Sequence, residues 1–346
     1  MSIILKDNVN RPSVMIRINK FYLDEISSEF SHVVHPAFIV NGIERDCFYV
    51  SKYINCVKDN RAYSIPMELP KTNINIQTAS KLCKNKGKGW HLMTNAEWSA
   101  IQLLCYKNNK YPLGNNSYGK DHTSTSETGL EGTKDGSRTG ITLTGSGTIN
   151  WSHDRTIDGI YDLNGNVREF VDGLKLIKGA IAIKQDNNFI SEDYKFVDTN
   201  GNLTSLYEQG VKVDTDVSGD SENNSHTVGG GKAKAILKPS ITNFLYTADT
   251  TTNNNYGIIY PLFEEYEYSE LNTNVINVLK TLGIFPVSNS IGSGDGTSLR
   301  NYGERICTRG GSYNNTSKSG IFGLDLSENT THSSNTTGFR CCYIDI

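Results

Sequence analysis

Seven cysteines are the most reactive side chains in this 346-residue sequence. They stand at Cys47, Cys56, Cys83, Cys105, Cys307, Cys341 and Cys342. An odd and scattered set is not typical of a secreted disulfide framework, and the sequence has no Cys-X-X-Cys pair and no Cys/His spacing of a zinc site. We therefore expect these cysteines to be buried free thiols. Because neighbouring residues on a strand point to opposite faces, only one of the adjacent pair Cys341 and Cys342 could join a cluster with Cys307.

A second group of polar side chains surrounds one tight turn. Asp162, Asn164, Asn166 and Glu169 carry oxygens at close spacing, and oxygen is the ligand atom that calcium prefers. The spacing is not that of an EF-hand loop. Hydrogen bonds from Asp and Asn side chains to a turn explain the same residues. Calcium at this turn therefore stays open as an alternative, and we expect no other metal and no cofactor.

The seven histidines form no pair at metal-binding spacing. We expect His91, which follows Trp90, to be packed in the framework of the fold. The run Gly229, Gly230, Gly231 and Lys232 lacks the full spacing and the following Ser or Thr of a phosphate-binding loop. The sequence therefore predicts neither a histidine metal site nor a nucleotide site.

Composition excludes several classes of partner. The formal net charge is -3 and no basic stripe is present, so we expect no nucleic-acid partner. No apolar run is long enough for a membrane span. Residues 1–7 lack the basic and apolar regions of a cleavable signal peptide. We expect a location on a virion tail or a bacterial cell surface reached without such a leader, and otherwise in the cytoplasm.

Local patterns place the main elements. Residues 35–42 and 47–53 read as two strands around an Asn-Gly turn, which predicts a hairpin. One helix is predicted over about 76–85. A second begins at Thr94, where Thr94 and Glu97 form a capping box and Trp98, Ile101, Leu104 and Cys105 follow at helical spacing.

The rest of the chain divides into connecting segments. Residues 1–33 show no clear period and are predicted to be an attachment or oligomerisation segment. Residues 112–150 read as long surface loops, and 159–171 as strand, Asn-Gly turn and strand. Residues of about 174–300 form a predicted insertion, with a mobile polar run at 214–234 and a helical pattern over 271–282.

Three ordered segments carry a resemblance to a known family. They are residues 89–98, with Trp90, His91 and Trp98; residues 159–171; and the run Arg309-Gly310-Gly311-Ser312-Tyr313 with the closing Gly338-Phe339-Arg340-Cys341. Together they resemble the formylglycine-generating-enzyme, or sulfatase-modifying, branch of the C-type-lectin fold. The resemblance implies an α+β, C-type-lectin-like domain over residues 34–346, with two helices, small twisted antiparallel sheets and the long insertion.

Within that fold, the sequence is more similar to the variable proteins of diversity-generating retroelements. In that family, miscopied template adenines convert Asn codons into codons for Asn, Ser, Thr, Asp, His and Tyr, and residues 313–337 are dominated by these types. The resemblance implies a variable region of about 309–340. Short polar side chains and Tyr form the palette of antibody paratopes, and surface changes usually alter stability by within about 0.5 kcal/mol.

The resemblance implies a non-catalytic binding protein rather than an enzyme. We expect its ligand, a host-surface protein or glycan, to contact Tyr313, Asn315, Ser317, Asp325, Ser327, Asn329, His332 and Asn335. We expect Arg309, Gly310, Gly311, Gly338, Phe339 and Arg340 to hold the frame, with Leu324 and Leu326 facing the core while Asp325 faces out. Assembly into a homo-oligomer would raise avidity.

Two alternatives remain open. In the formylglycine-generating enzymes, catalytic cysteines lie shortly after the Arg-Gly-Gly-Ser motif and serve as copper ligands and redox groups. The matching residues 314–320 contain no cysteine, and a thiolate nucleophile or soft-metal site needs thiols. The first alternative is nevertheless an oxidoreductase of that kind, and the second is an invariant structural tail or adhesin module.

Overall fold

Helices and β-strands are interspersed along this α+β chain, whose computed structural model describes residues 2–214, 236–238, 258–266, 271–288, 290–300 and 303–346. Within these ranges there are three α-helices, α1 (Ile76–Lys84), α2 (Asn95–Lys107) and α3 (Thr273–Thr281). Each lies where its helical pattern predicted it, to within a few residues at either end. The expected mobile run at 214–234 lies, apart from Asp214, outside the described residues.

The strands are short and numerous. In chain order they are β1 (Ser2–Lys6), β2 (Pro12–Asn19), β3 (Ile39–Val40), β4 (Ile43–Glu44), β5 (Cys47–Ser51), β6 (Cys56–Lys58), β7 (Arg61–Tyr63), β8 (Trp90–Leu92), β9 (Lys134–Asp135), β10 (Arg138–Thr139), β11 (Arg168–Ile177), β12 (Ala180–Ile183), β13 (Lys195–Val197), β14 (Leu203–Thr204), β15 (Lys212–Asp214), β16 (Ile236–Lys238), β17 (Ile258–Ile259), β18 (Thr297–Arg300), β19 (Glu304–Arg309), β20 (Leu324–Leu326), β21 (Thr337–Phe339) and β22 (Cys341–Tyr343). Short 3-10 helices occupy Leu23–Glu25, Pro36–Phe38, Ile149–Trp151, Tyr207–Gln209, Phe263–Glu265 and Thr316–Lys318.

One five-stranded sheet joins the two ends of the chain. Its order is β1-β2-β5-β22-β8, and all of its pairs are antiparallel. The strand β22 lies between β5 and β8, so the last residues of the chain are central to the sheet. Met15, Phe48 and Cys342 are fully buried there. The closing strand is therefore part of the core and not a loose tail.

The second sheet is larger than the small antiparallel sheets expected from the sequence. Among the described residues it contains eleven strands, eight of them in the order β14-β13-β12-β11-β19-β20-β18-β17 and three more, β15, β16 and β21, attached to these. Two of its pairs are parallel, β11 with β21 and β18 with β20. Parallel pairing needs crossover connections between distant segments, which local alternation in a sequence does not reveal. The strands of the predicted insertion extend this same sheet through β12, β13 and β14.

Residues 2–33, expected as a separate attachment segment, belong to the core. They supply β1 and β2, and Ile16, Phe21 and Phe30 join the main hydrophobic cluster together with Trp98. The expected domain boundary at residue 34 is therefore not a boundary of the core. Whether this part of the chain also mediates attachment stays a prediction.

The predicted hairpin at residues 35–53 is wrong in its pairing. The Asn41-Gly42 turn is present, with positive φ values of 51° and 72°, as a two-residue hairpin turn requires. It connects β3 to the two-residue strand β4, and β5 pairs instead with β2 and β22. Residues 36–38 form a 3-10 helix that begins with a proline, because proline fixes φ at a value suited to a helix start.

Helix α2 is buried over most of its circumference. Its capping box is confirmed, since Thr94 Oγ1 accepts from the Glu97 amide at 3.1 Å and Glu97 Oε2 accepts from the Thr94 amide at 2.9 Å. The predicted stripe is too narrow, because Ser99 and Gln102 are buried as well and Leu104 is only half-buried. A helix enclosed in this way positions side chains on several sides at once.

The expectation of seven free thiols is also wrong. Cys83 of α1 and Cys341 of β22 form a disulfide, with their Cα atoms 5.6 Å apart. Cys47, Cys56, Cys105, Cys307 and Cys342 are free. Adjacent cysteines do face opposite sides of the strand, since Cys341 joins the cluster around Leu82 and Cys342 joins the main core. Among the described residues, none of the helices has the length and apolar character needed to cross a bilayer.

Candidate functional site

The C-terminal region of 309–340 consists of two loops held between strands. After β19, Gly310 and Gly311 turn the chain with φ values of 86° and 72°, a conformation that favours glycine. A Cβ atom on Gly311 would lie 2.1 Å from Ser319 Oγ. The first loop then returns to β20, and the second loop connects β20 to β21. Both loops therefore begin and end on strands of the large sheet.

Arg309 anchors the first of these strands to helix α2. Its Nε and Nη2 donate to Asn95 Oδ1 at 3.1 and 2.6 Å, and its Nη1 donates to the Gly283 carbonyl at 3.0 Å. The side chain is 1% exposed, and burial lowers the pKa of its guanidinium. Asn95, at the first position of α2, gains a role that the sequence analysis did not assign. Its place directly after the capping residue was the only local signal.

Trp98 supports the same region from below. Its Nε1 donates to the Ile321 carbonyl at 2.9 Å, and its ring lies against Gly310. Ile321 and Phe322 are buried with it. Thus Trp98, from the first motif behind the family resemblance, directly supports the loop that follows the third motif.

Arg340 connects the second and third motifs. It forms a buried ion pair with Glu169, and its Nη1 and Nη2 donate to the Ser51 and Tyr161 carbonyls at 3.0 and 3.1 Å. Phe339 and Arg340 are completely buried. The residues expected to hold the frame lie in the interior. Arg309, Gly310, Gly338, Phe339 and Arg340 are buried, and Gly311 is partly buried.

The eight residues expected to face a ligand differ in accessibility. Ser317, Asn329 and Asn335 are exposed, and Asn315, Asp325 and His332 are partly exposed. Tyr313 and Ser327 are buried, at 5% and 8% exposure. The burial of these two side chains corrects the expectation that they lie on the surface.

The Tyr313 side chain is buried because it packs against other side chains of the interior and does not point into solvent. It joins a small cluster with Ile54, Ile141 and Val167, and its ring makes an edge contact with Tyr118 at 5.7 Å between centroids. The sequence could not show this, because the residue type alone does not distinguish a tyrosine of a binding surface from a tyrosine of the core. The neighbouring Asn314 is exposed instead.

Asp325 lines a cleft beside the first loop. Leu324 and Leu326 are buried at 2% and 1% exposure while Asp325 is partly exposed, which confirms the predicted alternation. Asp325 Oδ2 lies 3.3 Å from Arg168 Nη1, and its Oδ1 accepts from the Ser327 amide at 2.9 Å. The carboxylate is therefore partly neutralised by Arg168, which the sequence analysis had treated as part of a turn and strand.

The cleft has a volume of about 170 Å³. Its lining brings together fixed and expected variable residues, including Arg168, Tyr260, Thr308, Asn315, Lys318 and Asp325. Thr308 is 1% exposed, and its Oγ1 has no hydrogen-bond partner among the described residues. A buried hydroxyl without a partner costs free energy, so a polar group entering the cleft would satisfy it. Two of the eight expected residues, Asn315 and Asp325, lie in this lining.

Three of the expected residues, Asn315, Asn329 and His332, make short-range contacts next to or within their own loops. Asn329 Oδ1 accepts from the Thr331 amide at 3.0 Å, and Asn315 Oδ1 accepts from the Ser312 amide at 2.9 Å. His332 lies between Glu328, at 3.1 Å from its Nδ1, and Thr337, at 3.0 Å from its Nε2. Short polar side chains that fold back on the loop in this way reduce the dependence of its shape on other residues.

The possible calcium ligands around residues 162–169 are engaged by the protein. Asn164 Oδ1 accepts from Asn116 Nδ2 at 3.2 Å, Asn166 Oδ1 accepts from the Thr142 amide at 2.9 Å, and Glu169 is paired with Arg340. Asp162 Oδ2 accepts from the Gly145 amide at 2.8 Å, while its buried Oδ1 has no hydrogen-bond partner among the described residues. The contacts of the other oxygens support the turn interpretation of these residues.

Thiol chemistry near the loops is disfavoured by burial. Cys307, at 0% exposure, is the free cysteine closest in sequence to Arg309, and burial raises the pKa of its thiol to about 12. A thiol with such a pKa is protonated at neutral pH, and the thiolate is the reactive form.

Comparison with known proteins does not add a relative. No protein-family model matches this chain, and a search of curated proteins finds no match.

Proposed function

We propose that this chain is a non-catalytic ligand-binding protein with a diversified recognition surface formed by the two loops of residues 311–336. The surface comprises the accessible members of the expected set, Asn315, Ser317, Asp325, Asn329, His332 and Asn335, together with Asn314. Binding occurs by contacts of many weak polar groups, without bond chemistry. The proposal retains the C-type-lectin-like fold and the likeness to variable proteins of diversity-generating retroelements.

The observation that carries the proposal is the separation of frame from surface. The frame residues Arg309, Trp98 and Arg340 are buried and donate hydrogen bonds to other buried groups. The accessible loop residues make short-range contacts within their own loops. Changes at accessible positions of this kind usually cost about 0.5 kcal/mol or less, so such a surface can vary while the fold persists.

The cleft beside the first loop gives the surface a fixed point of attachment. Arg168 and Thr308 lie outside the expected variable region, whereas Asn315 and Asp325 belong to it. A hydroxyl or carboxylate oxygen of a ligand could accept hydrogen bonds from Arg168 and from the Thr308 hydroxyl. The ligand class that fits is a polar group on a host-surface protein or glycan.

The biological setting follows the resemblance and is part of the proposal. Display on a virion tail or a bacterial surface would present the loops to another cell. Several copies acting together would raise avidity if their spacing allows simultaneous contact.

Sequencing the gene across a population tests the diversification. We expect a nearby, almost identical DNA repeat whose mismatches lie at adenines, with a reverse-transcriptase gene alongside. Substitutions should concentrate at the accessible codons for Asn314, Asn315, Asn329 and Asn335 and spare Arg309 and Arg340. An even spread between these two groups, or the absence of the repeat, would remove the diversification from the proposal.

A binding experiment tests the surface itself. The chain carrying Ser317→Ala, Asn329→Ala and Asn335→Ala together should lose attachment to cells that bind the original chain, with the same melting temperature. Glu44→Ala, on the exposed turn of β4, is the matched control and should attach normally. Attachment that survives the triple substitution would instead favour an invariant structural role for this surface.

A further inference from the structure

A buried group of three potential metal ligands lies away from the recognition surface. His91 of β8, Glu97 of α2 and Cys342 of β22 each offer one ligand atom, and the three atoms all lie within 4.8 Å of one another. The side chains are 1%, 0% and 0% exposed. The group therefore joins three separate elements at the centre of the molecule.

Both ring nitrogens of His91 face oxygen atoms that accept hydrogen bonds, so a neutral ring lacks one proton or other cation. Its Nδ1 lies 2.9 Å from the Gly89 carbonyl, which can only accept, so the proton of a neutral ring resides on Nδ1. Its Nε2 lies 2.8 Å from Glu97 Oε1. In a neutral ring this second nitrogen would direct a lone pair at a carboxylate. At this separation a proton lies between the two atoms, and a metal ion could take its place only if they moved apart.

The surroundings resemble the outer shell of a metal site. A histidine that ligates through one nitrogen commonly donates its other N–H to a backbone carbonyl, as His91 does to Gly89. Glu97 is oriented by the Thr94 amide at 2.9 Å and by Asn187 Nδ2 at 3.0 Å. Phe189 stacks on the His91 ring at 3.6 Å between centroids. Both potential ligands are therefore fixed in orientation before any ion binds.

The donor set selects the metal. Nitrogen, carboxylate oxygen and thiolate sulfur together suit Zn²⁺, which binds such ligands at about 2.0–2.3 Å in a tetrahedron. Ligand atoms around such an ion lie roughly 3.3–3.7 Å apart. The 2.8 Å between His91 Nε2 and Glu97 Oε1 is shorter than this, and no separation in the group exceeds 4.8 Å. The ligand atoms would have to shift by on the order of 1 Å to surround the ion.

We infer that His91 Nε2, a Glu97 oxygen and the Cys342 sulfur bind one Zn²⁺. On binding, two protons leave for solvent, one from the Cys342 thiol and one from between His91 Nε2 and Glu97. The sulfur then forms the bond to zinc, and the neutral His91 ring contributes its Nε2 lone pair. Three protein ligands leave one tetrahedral position for a water molecule. The ion would fasten the closing strand β22 to helix α2, which carries Asn95 and Trp98 beneath the recognition loops.

Sequence spacing could not reveal this group. His91 and Glu97 lie in neighbouring elements, but Cys342 is almost at the C-terminus and reaches them only because β22 pairs with β8. The zinc inference does not rest on the proposed function, so the failure of one would leave the other unaffected.

Metal analysis of the full chain tests the inference. Protein produced with zinc in the medium and purified without chelator should contain about one zinc ion per chain. Glu97→Gln and Cys342→Ser should lose that zinc. Cys105→Ser, which changes another buried free cysteine outside the group, is the matched control and should retain it.

A spectroscopic measurement on the unaltered chain covers the case in which the variants do not fold. Refolding with Co²⁺ in place of zinc should give the intense near-ultraviolet absorption of thiolate-to-cobalt charge transfer, together with visible bands of tetrahedral cobalt. Folded protein that contains no zinc and takes up no Co²⁺ would overturn the inference and leave a buried imidazolium–carboxylate pair. Cobalt uptake without the thiolate band would also overturn it.

Discussion

Arg340 and Glu169 form a two-pronged ion pair that is inaccessible to solvent. Arg340 Nε and Nη2 each lie 2.5 Å from one of the two carboxylate oxygens of Glu169, and the side chains are 0% and 1% exposed. Glu169 lies on β11, whereas Arg340 directly follows β21, which pairs with β11 in parallel. The ion pair therefore locks the end of the expected variable region onto the sheet.

Removing one partner of this pair should strongly destabilise the protein. In Arg340→Met the carboxylate of Glu169 stays buried without its counter-charge, and the Ser51 and Tyr161 carbonyls lose a donor. Breaking a buried pair in this way costs about 3–5 kcal/mol. Denaturant unfolding followed by circular dichroism measures the free energy of unfolding of both forms.

An exposed ion pair provides the control for that experiment. Lys58 Nζ lies 2.6 Å from Glu68 Oε1, with side chains 49% and 36% exposed. Lys58→Met should lower the free energy of unfolding much less than Arg340→Met does, because solvent screens an exposed ion pair. Equal losses in the free energy of unfolding for the two variants would show that burial does not increase the cost of breaking the Arg340–Glu169 pair.

The carboxyl group of Asp162 should make stability depend on pH. Burial raises its pKa from 3.8 to about 6, against the opposing effects of the Gly145 amide and Arg340. The folded chain thus holds this proton more tightly than the unfolded chain. The free energy of unfolding should therefore fall by about 3 kcal/mol as pH rises from about 4 to above 6. Below pH 4 the carboxyl group is protonated in both states, and this loss of stability is absent.

Asp162→Asn removes this titration while keeping a residue type that tolerates the φ of 62° found here. The variant should be more stable than the original chain at pH 7 and should lack its decline between pH 4 and 6. Urea unfolding at several pH values gives both curves. Asp193→Asn, at an exposed carboxylate, is the control. Parallel curves for the original chain and Asp162→Asn would contradict the assignment.

Features set by neighbours along the chain were predictable from sequence. The Thr94–Glu97 capping box and the burial of Leu324 and Leu326 around Asp325 depend on residues a few positions apart, and both appear as predicted. The signals are local because a cap and a strand face are each determined by one short segment.

Features that join distant segments were not predictable. The pairing of β5 with β22 and the disulfide between Cys83 and Cys341 depend on how far-separated strands and helices pack. Thr308 and Arg168 enter the cleft for the same reason, since only the large sheet brings them beside Asp325. Composition likewise could not distinguish the buried Tyr313 from an exposed recognition tyrosine.

Neighbouring residues of the first loop should respond very differently to truncation. Tyr313→Ala would leave a void among Ile54, Ile141 and Val167, and loss of a large buried aromatic side chain costs about 3–5 kcal/mol. Asn314→Ala changes an exposed side chain and should shift the free energy of unfolding by within about 0.5 kcal/mol. Denaturant titration of both variants measures the difference. Comparable stability of the two would mean that Tyr313 contributes to recognition instead of packing.

The disulfide between Cys83 and Cys341 should be detectable by counting thiols. When the purified, air-exposed protein is unfolded without reductant, iodoacetamide should modify the five free cysteines and leave this pair. Prior reduction should raise the count to all seven cysteines of the sequence. Intact mass spectrometry gives both counts, and peptide mapping identifies the pair.

The stability of the chain should depend on the same bond. It connects residues separated by 258 positions, and closing a loop of this size destabilises the unfolded chain by about 5–6 kcal/mol in the chain-entropy model. Cys83→Ser should therefore unfold at a lower denaturant concentration than the original chain under oxidising conditions, and the difference should largely vanish when both are fully reduced. Cys56→Ser, at a buried free cysteine, controls for the loss of a sulfur atom from the interior. A deficit for Cys83→Ser that is equally large with and without reductant would assign the effect to packing around α1 and not to the covalent link.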